Sequence, residues 1–257
     1  MCAMERQLYD VLILSDLHLG SRASKAKEAT RVLKSCHFRR LILLGDIFCS
    51  LNFARLKKEH WNFLSYIRKL SNPKRNVQVI WIEGNHDYGL TEVMSHLVGI
   101  PVYKEYIWKS GGNQNLAIHG HQFDRLIFKD NSVINRAVSN IHMGIQKIEP
   151  KGRHFSRLLD TMGTQWQRLT SRVAKKAIEY GKNQGANRIF CGHTHEPIII
   201  TTDAVEYYNA GAWTSERPTF ITVFGQEVKV HEYNERIDNC YSGKKRRALA
   251  SATAGVA

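Results

Sequence analysis

Apolar residues fall along this chain in short, unbroken runs. Asp10-Val11-Leu12-Ile13-Leu14-Ser15, Leu41-Ile42-Leu43-Leu44, Val77-Gln78-Val79-Ile80-Trp81-Ile82, Leu116-Ala117-Ile118 and Arg188-Ile189-Phe190-Cys191 have strand length and little polar alternation. A strand covered on both faces reads this way, so the runs predict a layered α/β core. Between the first two runs, Ser24 to Cys36 is rich in helix formers. Between the second and third, Arg55 to Leu70 supplies an apolar face of Trp61, Phe63, Leu64, Ile67 and Leu70. The alternation of strands and helices predicts βαβ units.

After Pro197 the pattern becomes β-rich. Ile198-Ile199-Ile200-Thr201, Val205-Glu206-Tyr207-Tyr208, Thr219-Phe220-Ile221-Thr222-Val223 and Glu227-Val228-Lys229-Val230-His231 predict an antiparallel meander that supplies a second sheet. The expected fold class is α/β, a four-layer α/β/β/α sandwich. Residues 122–187 interrupt this pattern with helical composition. There Phe155, Leu158, Leu159, Met162, Trp166, Leu169, Val173 and Ala177 form an amphipathic stripe. The stripe fits either a helix packed on its own domain or a cap at the edge of a functional site. The organisation expected is a single domain over 1–236, with a helical basic insertion at about 122–187. A flexible basic tail is expected over 237–257, where Lys244-Lys245-Arg246-Arg247 is the alternative polybasic membrane contact.

At 257 residues the chain is long enough for one full core. Its 37 basic and 23 acidic residues leave a formal charge of +14, which favours an anionic partner: a phosphate ester, nucleic acid or an acidic membrane face. From Arg125 to Arg188 the chain has 13 basic and 4 acidic residues, between two segments rich in candidate ligands. No aromatic-rich nucleic-acid motif accompanies the charge, so no specific nucleic-acid partner is expected. Met1 to Gln7 lacks a secretory apolar stretch, and no apolar run approaches the ~20 residues of a membrane span, so a cytoplasmic location is expected. The five cysteines show no CxxC pairing and read as reduced thiols. Nothing in the pattern fixes an oligomeric state.

The chemistry lies where the apolar runs end. Asp16-Leu17-His18, Gly45-Asp46, Gly84-Asn85-His86-Asp87, His119-Gly120-His121 and Gly192-His193-Thr194-His195 form five clusters of hard or borderline metal ligands. Residues two apart in extended chain share a side, so Asp16 and His18 can reach one metal, and His193 with His195 repeats the pattern. Asp46 is the candidate bridging carboxylate, Asn85 offers a carbonyl oxygen and His119 an imidazole. His121 competes with His119, which is preferred because it ends the run Leu116-Ala117-Ile118. The set can hold two divalent ions, and its mixed carboxylate, amide and imidazole donors suit Mn, Fe, Zn or Co without selecting one. Such a pair activates a bridging hydroxide for in-line attack on phosphorus. His86 is the candidate proton donor or charge stabiliser, with Asp87 holding its tautomer. His121, Arg125, Arg153 and Arg157 are candidate substrate-binding residues on the rim.

The order DLH, GD, GNHD, HGH, GHTH resembles the calcineurin-like metallophosphoesterase superfamily. The resemblance implies the sandwich fold and dinuclear phosphoester hydrolysis. It places Asp16, His18, Asp46 and His195 on one metal, and Asp46, Asn85, His119 and His193 on the other. The helical insertion and the closing run Tyr207-Tyr208-Asn209-Ala210-Gly211-Ala212-Trp213 are most similar to the UDP-2,3-diacylglucosamine diphosphatase group. That group implies a nucleotide-sugar lipid substrate, Mn, and peripheral contact with the anionic inner membrane face. The lipid A enzymes of that group carry Arg at this position, whereas this chain has His86, the residue that general phosphoesterases carry. The alternative is therefore a broad phosphodiesterase or phosphomonoesterase acting on nucleotides or other soluble phosphoesters. A non-enzymatic scaffold on the same fold is the third reading.

Overall fold

The computed structural model describes residues 7–89, 95, 99–124 and 153–234, of which 153–165 are described in backbone only. The expected tail at 237–257 lies outside the described residues. The first sheet contains six strands in the order β11-β10-β1-β2-β3-β4. These are β1 (Leu8–Leu14), β2 (His37–Leu44), β3 (Gln78–Ile82), β4 (Val102–Tyr103), β10 (Thr219–Phe224) and β11 (Glu227–Glu232). The second sheet has five strands in the order β5-β6-β7-β9-β8. They are β5 (Glu105–Ser110), β6 (Asn113–Ile118), β7 (Arg188–Cys191), β8 (Ile199–Thr201) and β9 (Glu206–Asn209). Helix α1 (Ala26–Ser35) joins β1 to β2, α2 (Lys58–Leu70) lies between β2 and β3, and α3 (Arg153–Asn183) precedes β7.

Strand alternation builds the layers. On β1, Leu12 and Leu14 face the core under α1 and α2, whereas Val11 and Ile13 face the second sheet. Leu41 and Leu43 against Ile42 and Leu44 on β2 divide identically, as do Val79 and Trp81 against Ile80 and Ile82 on β3. The second sheet contributes Ala117, Phe190 and Tyr208 to the middle core. It turns Leu116, Ile118, Ile189, Cys191 and Tyr207 toward Val173, Ala174 and Ala177 of α3. Three apolar layers separate two sheets and their outer helices, which is the α/β/β/α sandwich. Each central strand is covered twice, the reason its sequence lacks alternation.

The expected meander is corrected by the strand pairing. Strands β8 and β9 join the second sheet, with β9 parallel to β7, whereas β10 pairs antiparallel with β1 of the first sheet. β6 and β7 also belong to the second sheet rather than to the core containing β1–β3. Strand β5 was not anticipated. Within the expected insertion, Val173, Ala174 and Ala177 of α3 pack against the second sheet. No helix of the described residues is long and apolar enough to cross a membrane.

Candidate metal centre

The parallel register of β1, β2 and β3 brings their carboxyl ends level, Leu14 beside Leu43 and Leu44 beside Ile82. The β1–β2 ladder then continues into the loops: Asp16 N donates to Gly45 O at 3.1 Å and His18 N to Asp46 O at 3.0 Å. In the second sheet β6 and β7 are likewise parallel, and Gly192 N donates to His119 O at 3.0 Å. Two sheets packed face to face thus present two sets of strand ends at one rim.

The loops leave the strands through a backbone conformation that side chains rarely adopt. Asp16, His18, Asp46, His193 and His195 have φ of 51°, 46°, 50°, 67° and 58°. Left-handed non-glycine residues are uncommon, and they persist where surrounding contacts over-determine them. Glycines supply the clearance. A Cβ on Gly45 would overlap the His119 ring, one on Gly84 would overlap Asp46, and one on Gly192 would overlap Ser15 and Asp16.

Three ligand groups result: Asp16, His18 and His195; His18, Asp46 and His86; and Asp46, His119 and His193. Within each group the donor atoms all lie within 4.8 Å of one another. The Asp16 carboxylate is fixed through Oδ2, which accepts from Ser15 Oγ at 2.5 Å and His193 N at 3.0 Å. Its Oδ1 lies 3.1 Å from His195 Nε2 but has no hydrogen-bond partner. Asp46 Oδ1 accepts from His86 N at 2.8 Å, leaving Oδ2 3.5 Å from His119 Nε2 and 3.9 Å from His18 Nε2.

His119 Nδ1 donates to Leu44 O at 2.9 Å, since a carbonyl only accepts, so the Nε2 side faces the carboxylates. His18 Nε2 and His195 Nε2 lie 3.1 Å apart. Two imidazole lone pairs cannot share that separation without a proton or cation between them. Asp16 Oδ1, Asn85 Oδ1 and His119 Nε2 are all buried without a hydrogen-bond partner. Buried polar atoms left this way in a convergent cluster fit a divalent cation.

The charge balance agrees. Burial works to raise Asp46, but His119, His86 and His18 outweigh it and hold the carboxyl well below the usual range. Burial likewise opposes protonation of His119, yet Asp46 and Asp16 prevail and raise it to about 9. Burial together with His195 and His86, against Asp46, takes His18 down to about 3. The cluster keeps Asp16 and Asp46 ionised; burial shifts His18 and His193 toward the neutral form, whereas His119 and His195, facing those carboxylates, are raised, so a cation bound there would displace a proton from His119.

His86 sits at the open edge with its side chain 26% exposed and Nε2 3.9 Å from Asp46 Oδ2. The expectation that Asp87 fixes its tautomer is not met. Cys49 O accepts from His86 Nδ1 at 2.9 Å, whereas both Asp87 oxygens accept backbone amides, from Ile47 at 2.9 Å and Phe48 at 2.8 Å. Asp87 therefore braces the loop after Asp46. The His121 ring packs 5.4 Å from His119, and burial with His119 and His193 takes it down to about 3.

Arg125 lies outside the described residues, as do the side chains of Arg153 and Arg157. Trp166 of α3 lies 6.4 Å from His195, ring to ring, so the helix reaches the rim. Sequence reasoning missed Asp124, buried with Oδ2 3.4 Å from His193 Nε2. Its place five residues after His119 in the HGHQFD segment was the available signal.

Residues 10–225 match the profile described as the calcineurin-like phosphoesterase superfamily domain. The chain belongs to that superfamily. Its domain is that of a metal-dependent hydrolase acting on phosphoester bonds. No curated protein matches in sequence. Among solved structures, the chain is similar to a Vps29 variant from Entamoeba histolytica, at 15% identity and TM-score 0.43, over 87% of this chain and 99% of that one. It is similar to a novel archaeal phosphodiesterase at 16% identity and TM-score 0.46, over 86% and 98%. A predicted phosphoesterase from Streptococcus pneumoniae aligns at 13% identity and TM-score 0.38, over 87% and 97%.

Proposed function

We propose that the centre holds two divalent cations and that the protein hydrolyses phosphoester or pyrophosphate bonds. The observation carrying this is the sharing of Asp46 and His18 between adjacent ligand groups. In this reading Asp16, His18, Asp46 and His195 hold one ion, and Asp46, Asn85, His119 and His193 hold the other, with Mn the first candidate. Cations bound there would supply Lewis-acid charge and lower the pKa of water. The chain's own contribution is to keep Asp46 ionised between the two groups and to aim His119 through the Leu44 carbonyl. His86, anchored at Nδ1 by Cys49 O, presents Nε2 to the open side, where it would donate a proton to the departing oxygen.

The leading substrate is a UDP-linked diacylated sugar, supported by the resemblance of the closing run 207–213 and by α3 reaching the rim at Trp166. Peripheral contact with an anionic membrane belongs to the same reading, with residues 122–187 as a cap. His86 favours a second reading, a broad phosphodiesterase or phosphomonoesterase acting on nucleotides or other soluble phosphoesters. Both are tested by one screen of the Mn-reconstituted protein against the UDP-lipid, a simple aryl phosphodiester, a monoester and single-stranded DNA. Turnover of the UDP-lipid far above the others would support the first reading. The reverse order would support the second, and no turnover of any would refute hydrolysis.

A further inference from the structure

The run Tyr207 to Trp213 buries its two tyrosines in separate cores and carries one polar side chain, Asn209, between them and the turn that follows. Asn209 ends β9 and is fully buried. Its orientation is determined, because Oδ1 accepts from Gly211 N at 2.9 Å. Nδ2 must therefore point the other way. It donates to Gly192 O at 2.7 Å and to Thr194 Oγ1 at 3.1 Å, and it lies 3.2 Å from Tyr207 Oη. Gly192 and Thr194 are the residues on either side of His193, and Thr194 also precedes His195.

One side-chain amide thus grips both neighbours of a left-handed histidine. The backbone of the same segment is tied down independently, with Asn209 N donating to Ile198 O at 2.9 Å and Ala210 N to Cys191 O at 2.8 Å. Four residues further on, Trp213 N donates to Asp16 O at 3.1 Å. The turn after β9 therefore fastens the histidine loop through Asn209 and the Asp16 loop through Trp213.

We infer that Asn209 is a positioning residue for the metal centre, holding His193 and His195 in the left-handed backbone that aims their rings at Asp46 and Asp16. The inference rests on the proposed ligand roles of those histidines. An apolar side chain at position 209 would leave Gly192 O with only the Thr194 amide, at 2.8 Å, and Thr194 Oγ1 without its donor. The loop would then lose the contacts that offset its unfavourable backbone.

The test is Mn2+ titration calorimetry on the full chain, read beside thermal melting without metal and turnover of an aryl phosphodiester at saturating Mn2+. Asn209→Ala should weaken Mn2+ binding roughly 10- to 100-fold, the range seen when outer-shell partners of metal ligands are removed. Thr194→Val, nearly isosteric, should weaken it in the same direction, and Thr194→Ser should restore it. A lower melting temperature with unchanged Mn2+ affinity and unchanged kcat would overturn the inference, leaving Asn209 a structural residue only. His193→Ala separates the two failures. If the unsubstituted protein binds no Mn2+, the ligand reading itself has failed. If it binds Mn2+ and loses it in His193→Ala but not in Asn209→Ala or Thr194→Val, only the positioning role has.

Discussion

Gly84→Ala adds one methyl group at a place where the structure leaves no room for it. Gly84 lies outside the left-handed region, so alanine meets no backbone penalty there and the effect is steric. The new Cβ would overlap both the amide nitrogen and Oδ1 of Asp46, with the Asp46 Cα at 3.0 Å. These are backbone atoms and the held oxygen of a buried carboxylate, so no flexible side-chain end can swing aside. The two loops must separate by on the order of 1 Å, a displacement that can cost about 100-fold in rate at a preorganised centre. That is a loss of ~2.7 kcal/mol in transition-state stabilisation.

Steady-state kcat/KM on an aryl phosphodiester with Mn2+ reads the effect directly, and calorimetry should show weaker Mn2+ binding. The matched control is Gly181→Ala in α3, whose Cβ would meet Ile189 and Val205 at 3.5–3.6 Å, ordinary contact. In the last turn of α3, where the glycine is not left-handed, that change should add roughly 0.4–1 kcal/mol of stability and leave kcat/KM alone. Wild-type kcat/KM in Gly84→Ala, with the protein folded, would refute the claim that Asp46 must sit where it does.

Asp46→Ala should abolish turnover while circular dichroism remains native, and full activity in a Mn-replete assay would sink the dinuclear reading. His86→Gln should lower kcat by ~10²-fold or more on a substrate with a poor leaving group, and less on a nitrophenyl ester. Equal losses on both would remove it as proton donor. His60 gives a pH dependence outside the centre. Its buried Nδ1 accepts from Gly20 N and Lys57 N, both at 3.1 Å, and burial lowers its pKa against the pull of Glu59. The unfolded histidine takes a proton first, so its contribution is complete above about pH 6.5 and is lost as pH falls through the lower folded value. Urea melts at neutral and mildly acidic pH should show a larger drop for the native sequence than for His60→Gln; identical drops would contradict this. Chelation should lower the melting temperature, since saturation at 100 times Kd is worth about 2.7 kcal/mol. No shift on chelation would count against metal in the folded state.

The central strands were legible because double burial erases polar alternation, and β7 falls at the run read for it, Arg188 to Cys191. Strand β5 was not, because Glu105, Lys109 and Ser110 break up Tyr106-Ile107-Trp108 on a half-exposed sheet edge. Sheet membership after Pro197 was misread because β propensity is local while pairing is not. The segment from Ala210 to Pro218 was the clue, since it is too long for a hairpin turn and carries the chain from one sheet to the other. Within the site, the clustering of candidate ligands was readable from the ends of apolar runs. The partner of Asp87 was not, because the left-handed bend at Asp46 turns the Ile47 and Phe48 amides toward it. Sequence proximity to His86 gave no hint of that bend.

Asp16 and His18 come from one sheet and His195 from the other, and Asp46 likewise meets His119 and His193 across the gap. With only β1, β2 and β3 assembled, Asp16 would lack the cover of Gly192 and His193 and would face water. Docking of the second sheet removes that water and brings His119, His193 and His195 to the same carboxylates. Burial of the two charges and arrival of the histidines that offset it are therefore a single event, the closure of one sheet on the other.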